Sequence, residues 1–290
     1  FVTSAAPRGP HSGPDCTPHR GAGNPRTTRR GLLLAAALTL GLAGCASAPT
    51  AGGRLRVMTY NIHHGRGADG EIDLERIAAV ILAEDPDLVA LQEVDVGTGR
   101  AGGVDQAATL GSLTGMQAVF GEAMPYDGGS YGEAVLSRLP IESSTVHLLP
   151  AAAGHEPRAG LEVRVRLEGG ALVRFVGTHL DHTDDPADRI AQARALEQAL
   201  AVEPGLPTVL AGDLNDEPGS ESLSAFAVRW LDALGPDRRP TWPADEPRVA
   251  IDHVFVAPYG SWRKTAAYVV DERVASDHRP VVVDLELRKG

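Results

Sequence analysis

The sequence predicts a layered α/β protein, and three observations carry that expectation. From Leu55 onward, short β-rich runs outnumber helical ones. Several of the runs alternate apolar and polar residues, the pattern of a sheet with one packed and one solvated face. The runs also fall in two sets, with too few helices between them for a doubly wound parallel sheet.

Taken in order, Leu55–Ile62 is apolar and β-branched enough for a buried strand. Asp73 can cap a helix whose apolar positions Leu74, Ile77, Ala78, Ile81 and Leu82 follow 3.6-residue spacing, and Asp85-Pro86 stops it. Leu88–Leu91 reads as a short buried strand and Ala107–Leu113 as a helix. Strands follow at about 116–121, 133–138, 142–149, 160–168 and 171–178. Leu161, Val163, Val165 and Leu167 alternate with Glu162, Arg164, Arg166 and Glu168, and Gly169-Gly170 is the hairpin turn that follows. Residues 185–201 form a helix with Ile190, Ala193, Leu196 and Leu200 on one side. Thr208–Ala211 is a strand, Ser220–Ala227 a helix, and three strands near 250–256, 265–270 and 279–287 close the chain. No internal period marks repeats.

Composition narrows the class. The 290 residues are 43% hydrophobic and 22% charged, which excludes a wholly disordered chain and a multi-span membrane protein. The two cysteines, Cys16 and Cys45, both precede the strand-rich region, so the folded body has neither a disulfide framework nor a thiolate metal site. The formal charge of -11 disfavours a broad nucleic-acid-binding face, because phosphate contacts need clustered cations.

The first fifty residues read as an address. Residues 1–26, rich in Pro, Gly, Ser and Arg, are expected to be a disordered leader. Residues 27–45 combine Arg29-Arg30, an apolar run from Leu32 to Leu42 and small residues, the pattern of an export signal. The run is eleven residues, too short to span a bilayer core of roughly 30 Å. The arginine pair resembles a twin-arginine signal, and Leu42-Ala43-Gly44-Cys45 resembles the bacterial lipobox. That resemblance implies cleavage before Cys45 and lipid attachment to its sulfur, hence an exported, membrane-anchored protein; ordinary cleavage near Ala46-Ser47-Ala48 would instead leave a secreted one. Removing residues 1–44 takes away Arg8, Arg20, Arg26, Arg29, Arg30 and Asp15, leaving 22 cations against 37 anions, a balance of -15. Residues 46–53 then form a linker to one domain over 54–290.

Polar clusters at strand ends carry the chemistry. They are Thr59-Tyr60-Asn61-Ile62-His63-His64-Gly65, Leu91-Gln92-Glu93-Val94-Asp95, Gly132-Glu133-Ala134-Val135-Leu136-Ser137-Arg138, Gly177-Thr178-His179-Leu180-Asp181, Ala211-Gly212-Asp213-Leu214-Asn215-Asp216, Ile251-Asp252-His253-Val254 and Ala275-Ser276-Asp277-His278-Arg279-Pro280. In this order the seven blocks resemble the endonuclease/exonuclease/phosphatase superfamily, the deoxyribonuclease-I-like fold, over about Arg54 to Leu287. The resemblance implies a four-layer sandwich of two mixed β-sheets flanked by helices, and hydrolysis of phosphodiesters or phosphomonoesters with a divalent metal.

It also implies roles. Glu93 is the main metal ligand, completed or supported by Asn61 and Asp277; hard oxygen donors favour Mg²⁺, with Mn²⁺ as an alternative. Asp213 orients or deprotonates the attacking water, and Asn215 holds that water or a phosphate oxygen. His278 stands beside the scissile phosphate, with Asp252 fixing its tautomer and raising its pKa. His179 is the second phosphate-side histidine. Glu133 sits where some nuclease members pair a glutamate with that histidine and many phosphatase-like members carry Asn, so its role stays open. Arg158 either clamps phosphate or lies on the surface. His63, His64 and Arg66 either border the pocket, with His64 touching substrate, or form a solvated loop. The His63-His64 pair lacks further nitrogen or sulfur ligands at zinc spacing and is not read as a zinc site.

The expected activity is therefore a metal-dependent phosphoric ester hydrolase, working as a monomer by in-line water attack. Only two lysines, Lys264 and Lys289, are present, so small or lipid head-group esters are preferred to nucleic acid, and no stable nucleic-acid partner is expected. A nuclease and a non-catalytic phosphate-binding envelope module are the alternatives.

Overall fold

The computed structural model describes residues 53–288, so the leader, the export segment and Cys45 lie outside the described residues. Twelve strands form two six-stranded sheets. In chain order the elements are β1 (Arg54–Asn61), α1 (Leu74–Glu84), β2 (Leu88–Val96), α2 (Gln106–Thr114), β3 (Gln117–Tyr126), β4 (Gly129–Ser137), β5 (Ile141–Leu148), β6 (Ala159–Arg166), β7 (Leu172–His179), α3 (Ala187–Leu200), β8 (Thr208–Asp213), α4 (Glu221–Ser224), β9 (Leu231–Asp232), β10 (Asp252–Ala257), β11 (Trp262–Val269) and β12 (Val281–Leu287).

The first sheet runs β11-β12-β1-β2-β4-β3 and the second β5-β6-β7-β8-β10-β9. Each has one parallel pair at its centre, β1 with β2 and β7 with β8, and antiparallel neighbours outside it. A parallel pair needs a crossover, and α1 and α3 supply the two.

Strand alternation builds the layers. Leu55 and Val57, Leu88 and Ala90, and Val281, Val283 and Leu285 from the first sheet meet Val163, Phe175, Val209, Ala211, Val254 and Val256 from the second in one core. The intervening residues face outward: Met58, Tyr60, Val89 and Leu91 pack on Ile77 and Ile81 of α1 and Leu110 of α2. Val176, Leu210 and Phe255 pack on Ala193, Leu196 and Leu200 of α3 and on Phe226. Strands apolar on both faces thus produce four layers, with helices on the two outer surfaces.

The Asp73 side chain caps α1 by accepting from Arg76 N at 2.9 Å, and Asp85 ends it at a left-handed φ of 52°. The structure departs from the sequence reading in several stretches. β2 continues through Glu93 because a bulge between Leu91 and Val94 absorbs the irregularity. β3 and β4 extend to a tight turn at Asp127-Gly128, both residues at positive φ. The helix expected over 220–227 is regular only for Glu221–Ser224, and β9 was not expected at all.

Candidate active site

The inner-face alternation that makes the core ends in polar residues. Val57 and Thr59 lead to Asn61; Phe175 and Gly177 lead to His179; Val209 and Ala211 lead to Asp213; Val256 and Val254 lead back to Asp252. Each polar side chain therefore continues the row that faces the other sheet, at the end where the sandwich opens. Register completes the grouping, since His179 and Asp252 are both cross-strand partners of Asp213. Close packing supports it: a Cβ at Gly212 would lie 1.9 Å from Thr178 O, so the residue before Asp213 must be glycine.

Backbone strain concentrates here. Among the described residues, six non-glycine residues adopt positive φ; Asp85 ends a helix and Asp127 makes a hairpin, while His63, His64, Glu93 and Asn215 all belong to site blocks. Left-handed backbone at such residues persists only where surrounding structure enforces it.

Asp213 is the hub. Its Oδ2 accepts from Asn61 Nδ2 at 3.1 Å and lies 3.5 Å from Nε2 of both His278 and His179. Its Oδ1 accepts from Asn215 N at 2.9 Å, and Asn61 Nδ2 also donates to Glu93 Oε1 at 3.0 Å. Burial pushes the Asp213 carboxyl up to about 7, with His278 opposing the rise and Asp252 adding to it.

The two histidines differ through their Nδ1 partners. His278 Nδ1 donates to Asp252 Oδ2 at 2.9 Å. Burial pulls the ring down, but Asp252 and Asp213 outweigh it and push it up to about 10. His179 Nδ1 instead accepts from Arg158 Nη1 at 3.0 Å; burial first, then the Arg158 charge, holds its pKa well below the ordinary value. At neutral pH His278 is thus an imidazolium and His179 a neutral ring. The Asn215 amide stands 2.9 Å from His179 Nε2 and also donates to Leu180 O at 3.0 Å.

Arg158 is buried, so the surface alternative does not hold. It pairs with Glu156 at 3.0 Å, donates to His182 Nδ1 at 3.0 Å, and keeps a buried Nε without a partner. Glu133 makes no hydrogen bond to His179, because Arg158 occupies that nitrogen; its buried Oε2 has no partner, and burial raises its carboxyl well above the ordinary range.

A cleft of about 610 Å³ lies over these groups. Glu93, Arg158, His179, Asp213, Asn215, Asp277 and His278 line it. His64 and Glu133 are buried and do not line it, so neither is placed as a direct substrate contact; Asn61 and Asp252 act from behind through Asp213 and His278. Sequence reasoning missed Tyr131, His182, Arg100 and Trp242 in the lining. Tyr131 shares the inner-facing register of Glu133 and Val135, and His182 lies three residues after His179, so both left a weak signal; Arg100 and Trp242 left none.

The residues fit a divalent cation. Glu93 and Asp277 present carboxylates to the cleft, and burial raises the neighbouring Asp213 and Glu133 carboxyls, so a cation there would help keep this group of carboxylates ionised.

Comparison with known proteins agrees with this geometry. The pattern of the Endonuclease/Exonuclease/phosphatase family matches residues 58–278. A crystal structure of an endonuclease/exonuclease/phosphatase from Beutenbergia cavernae is 32% identical, covering 81% of this chain and 72% of that one at a TM-score of 0.69. The YbhP protein of Escherichia coli K12, itself uncharacterised, is 27% identical over 80% of this chain and 96% of its own length. A mannosyl-6-phosphatase from Bacteroides thetaiotaomicron shares the fold at a TM-score of 0.67 and 21% identity, over 80% of this chain and 99% of that one. With the match running from β1 through His278 and taking in every named cleft residue, the chain belongs to the endonuclease/exonuclease/phosphatase family, whose members hydrolyse phosphate esters.

Proposed function

We propose that this chain is a divalent-metal-dependent phosphohydrolase acting on small or lipid head-group phosphate esters. The observation that carries the reading is Asp213 held between a charged and a neutral histidine on the floor of a cleft that also contains Arg158.

Glu93 and Asp277 would hold the cation, with Asn61 supporting Glu93 through its hydrogen bond; when bound, the cation would neutralise phosphate oxygens and lower the cost of charge development. Asp213, raised toward neutrality, accepts the proton of the attacking water, and Asn61 and Asn215 fix its carboxylate for that role. His278, kept charged by Asp252, stabilises the negative charge that builds on the phosphoryl group. Arg158 adds a second fixed cation and orients the neutral His179 ring.

The acidic chain, with its two lysines, offers little for a long polyanion, which supports a small ester over a nucleic acid. Export and anchoring through Cys45 are also proposed, on the sequence alone; incorporation of a labelled fatty acid that is lost in Cys45→Ser tests them.

A substrate panel tests the activity: p-nitrophenyl phosphate, bis-p-nitrophenyl phosphate, sphingomyelin and plasmid DNA, each with EDTA, Mg²⁺ or Mn²⁺. Metal-dependent turnover of the small or head-group esters supports the reading. Efficient plasmid nicking replaces it with a nuclease, and no turnover under any condition replaces it with a binding module.

A further inference from the structure

His63 and His64 take no part in the chemistry above, yet the fold holds them firmly beside Glu93. The chain leaves β1 and turns through His63–Gly65 as a single 3-10 turn. Asn61 Oδ1 accepts from His63 N at 3.0 Å, and His64 O accepts from Gln106 Nε2 at 2.7 Å, so α2 and β1 tie the turn at both ends. One nitrogen from each ring and one Glu93 carboxylate oxygen all lie within 4.8 Å of one another. The rings meet edge to face at 4.5 Å, and His63 Nδ1 is 3.7 Å from Asp277 Oδ1. His64 is 8% exposed, and its buried Nδ1 has no hydrogen-bond partner.

A buried ring nitrogen without a partner is unfavourable unless something supplies one. Sequence spacing offered the histidine pair no third ligand; the fold supplies Glu93. Mg²⁺ selects oxygen donors, whereas imidazole nitrogens select transition ions. We propose that His63, His64 and Glu93 form a mixed nitrogen–oxygen site for a divalent transition cation. This rests on Glu93 being a cation ligand, as in the proposed function, and adds that the chain prefers a nitrogen-binding ion to Mg²⁺.

The test uses the full chain, with Co²⁺ and Mg²⁺ titrated by calorimetry and bound Mn²⁺ read by pulsed electron paramagnetic resonance. His63→Asn and His64→Asn are the variants, because Asn tolerates left-handed backbone. The expected result is ¹⁴N modulation from coordinated imidazole in the unsubstituted chain, tighter binding of Co²⁺ than Mg²⁺, and a loss of about 10- to 100-fold in Co²⁺ affinity in either variant with Mg²⁺ binding retained. Absence of ¹⁴N modulation needs no variant to fold and overturns the proposal. Divalent binding that depends on Glu93 but on neither histidine also overturns it while leaving the catalytic reading intact. No binding of any divalent ion overturns both.

Discussion

His278 and His179 each place Nε2 3.5 Å from the same oxygen of Asp213, yet the fold gives them opposite charge. Both are buried, His179 at the end of β7 and His278 in the loop before β12, so burial alone would make both neutral. The difference lies one atom further back. Asp252 faces Nδ1 of His278 and sustains a proton on the ring; Arg158 faces Nδ1 of His179 and excludes one. One residue type thus supplies a fixed cation on one side of the base and a neutral group on the other, and the second layer of side chains decides which.

The sharpest way to break this comparison is to remove its parts. Asp213→Asn and His278→Gln are expected to lower kcat by about 10²- to 10⁴-fold with folding intact, since each removes a proton-transfer or charge-stabilising group. His179→Gln is expected to cost less, because it removes no charge. Steady-state kinetics and circular dichroism check the ranking; near-normal turnover in the first two variants sinks the mechanism.

Reversing a partner comes next. The rate is expected to rise with pH as Asp213 loses its proton near 7 and to fall as His278 loses its own near 10. Asp252→Asn removes the carboxylate that keeps His278 charged, so the alkaline limb should move down from about 10 toward the ordinary histidine value of 6.5. An unmoved limb would show that Asp252 does not govern the charge. Arg158→Lys cannot serve His179 and His182 together and is expected to raise KM by about tenfold, the worth of one charged hydrogen bond.

Stability depends on the same two rings, and the sign of the dependence differs between them. His278 has a folded value near 10 against 6.5 for an ordinary histidine, so its contribution is complete below 6.5 and is lost as pH rises through 10. His179 has a lowered folded value, so its contribution is present above 6.5 and is lost as pH falls below that. Urea midpoints across pH should therefore flatten on the alkaline side in His278→Gln and on the acid side in His179→Gln.

The sequence made part of this legible. Alternation such as Leu161, Val163 and Val165 marks a strand because a sheet's side chains change face every residue, and Asp73 before an apolar helical stripe marks a helix start. The ends of these strands carry Asn61, His179, Asp213 and Asp252, which the polar blocks name; His179 and Asp213 line the cleft, and Asn61 and Asp252 stand behind it. The raised pKa of His278 beside Asp252 was expected as well, but the neutral state of His179 was not, because it depends on an Nδ1 contact with Arg158, 21 residues away. Glu93 was named from its block, but the backbone that carries it was not: a bulge at positive φ re-aims it within β2, and no periodicity encodes a bulge. His63-His64 looked like loop residues because their third neighbour comes from β2, through that same bulge.

The central claim, opposite charge on two rings sharing one carboxylate, can be read directly by ¹⁵N nuclear magnetic resonance of histidine-labelled protein, titrated from pH 6 to 10 and assigned with the His179→Gln and His278→Gln variants. The account predicts that His278 shows imidazolium nitrogen shifts through neutral pH and begins to lose its proton only toward pH 10, while His179 stays neutral across the whole range. Two rings titrating together near 6.5, or a neutral His278 at pH 7, would contradict it.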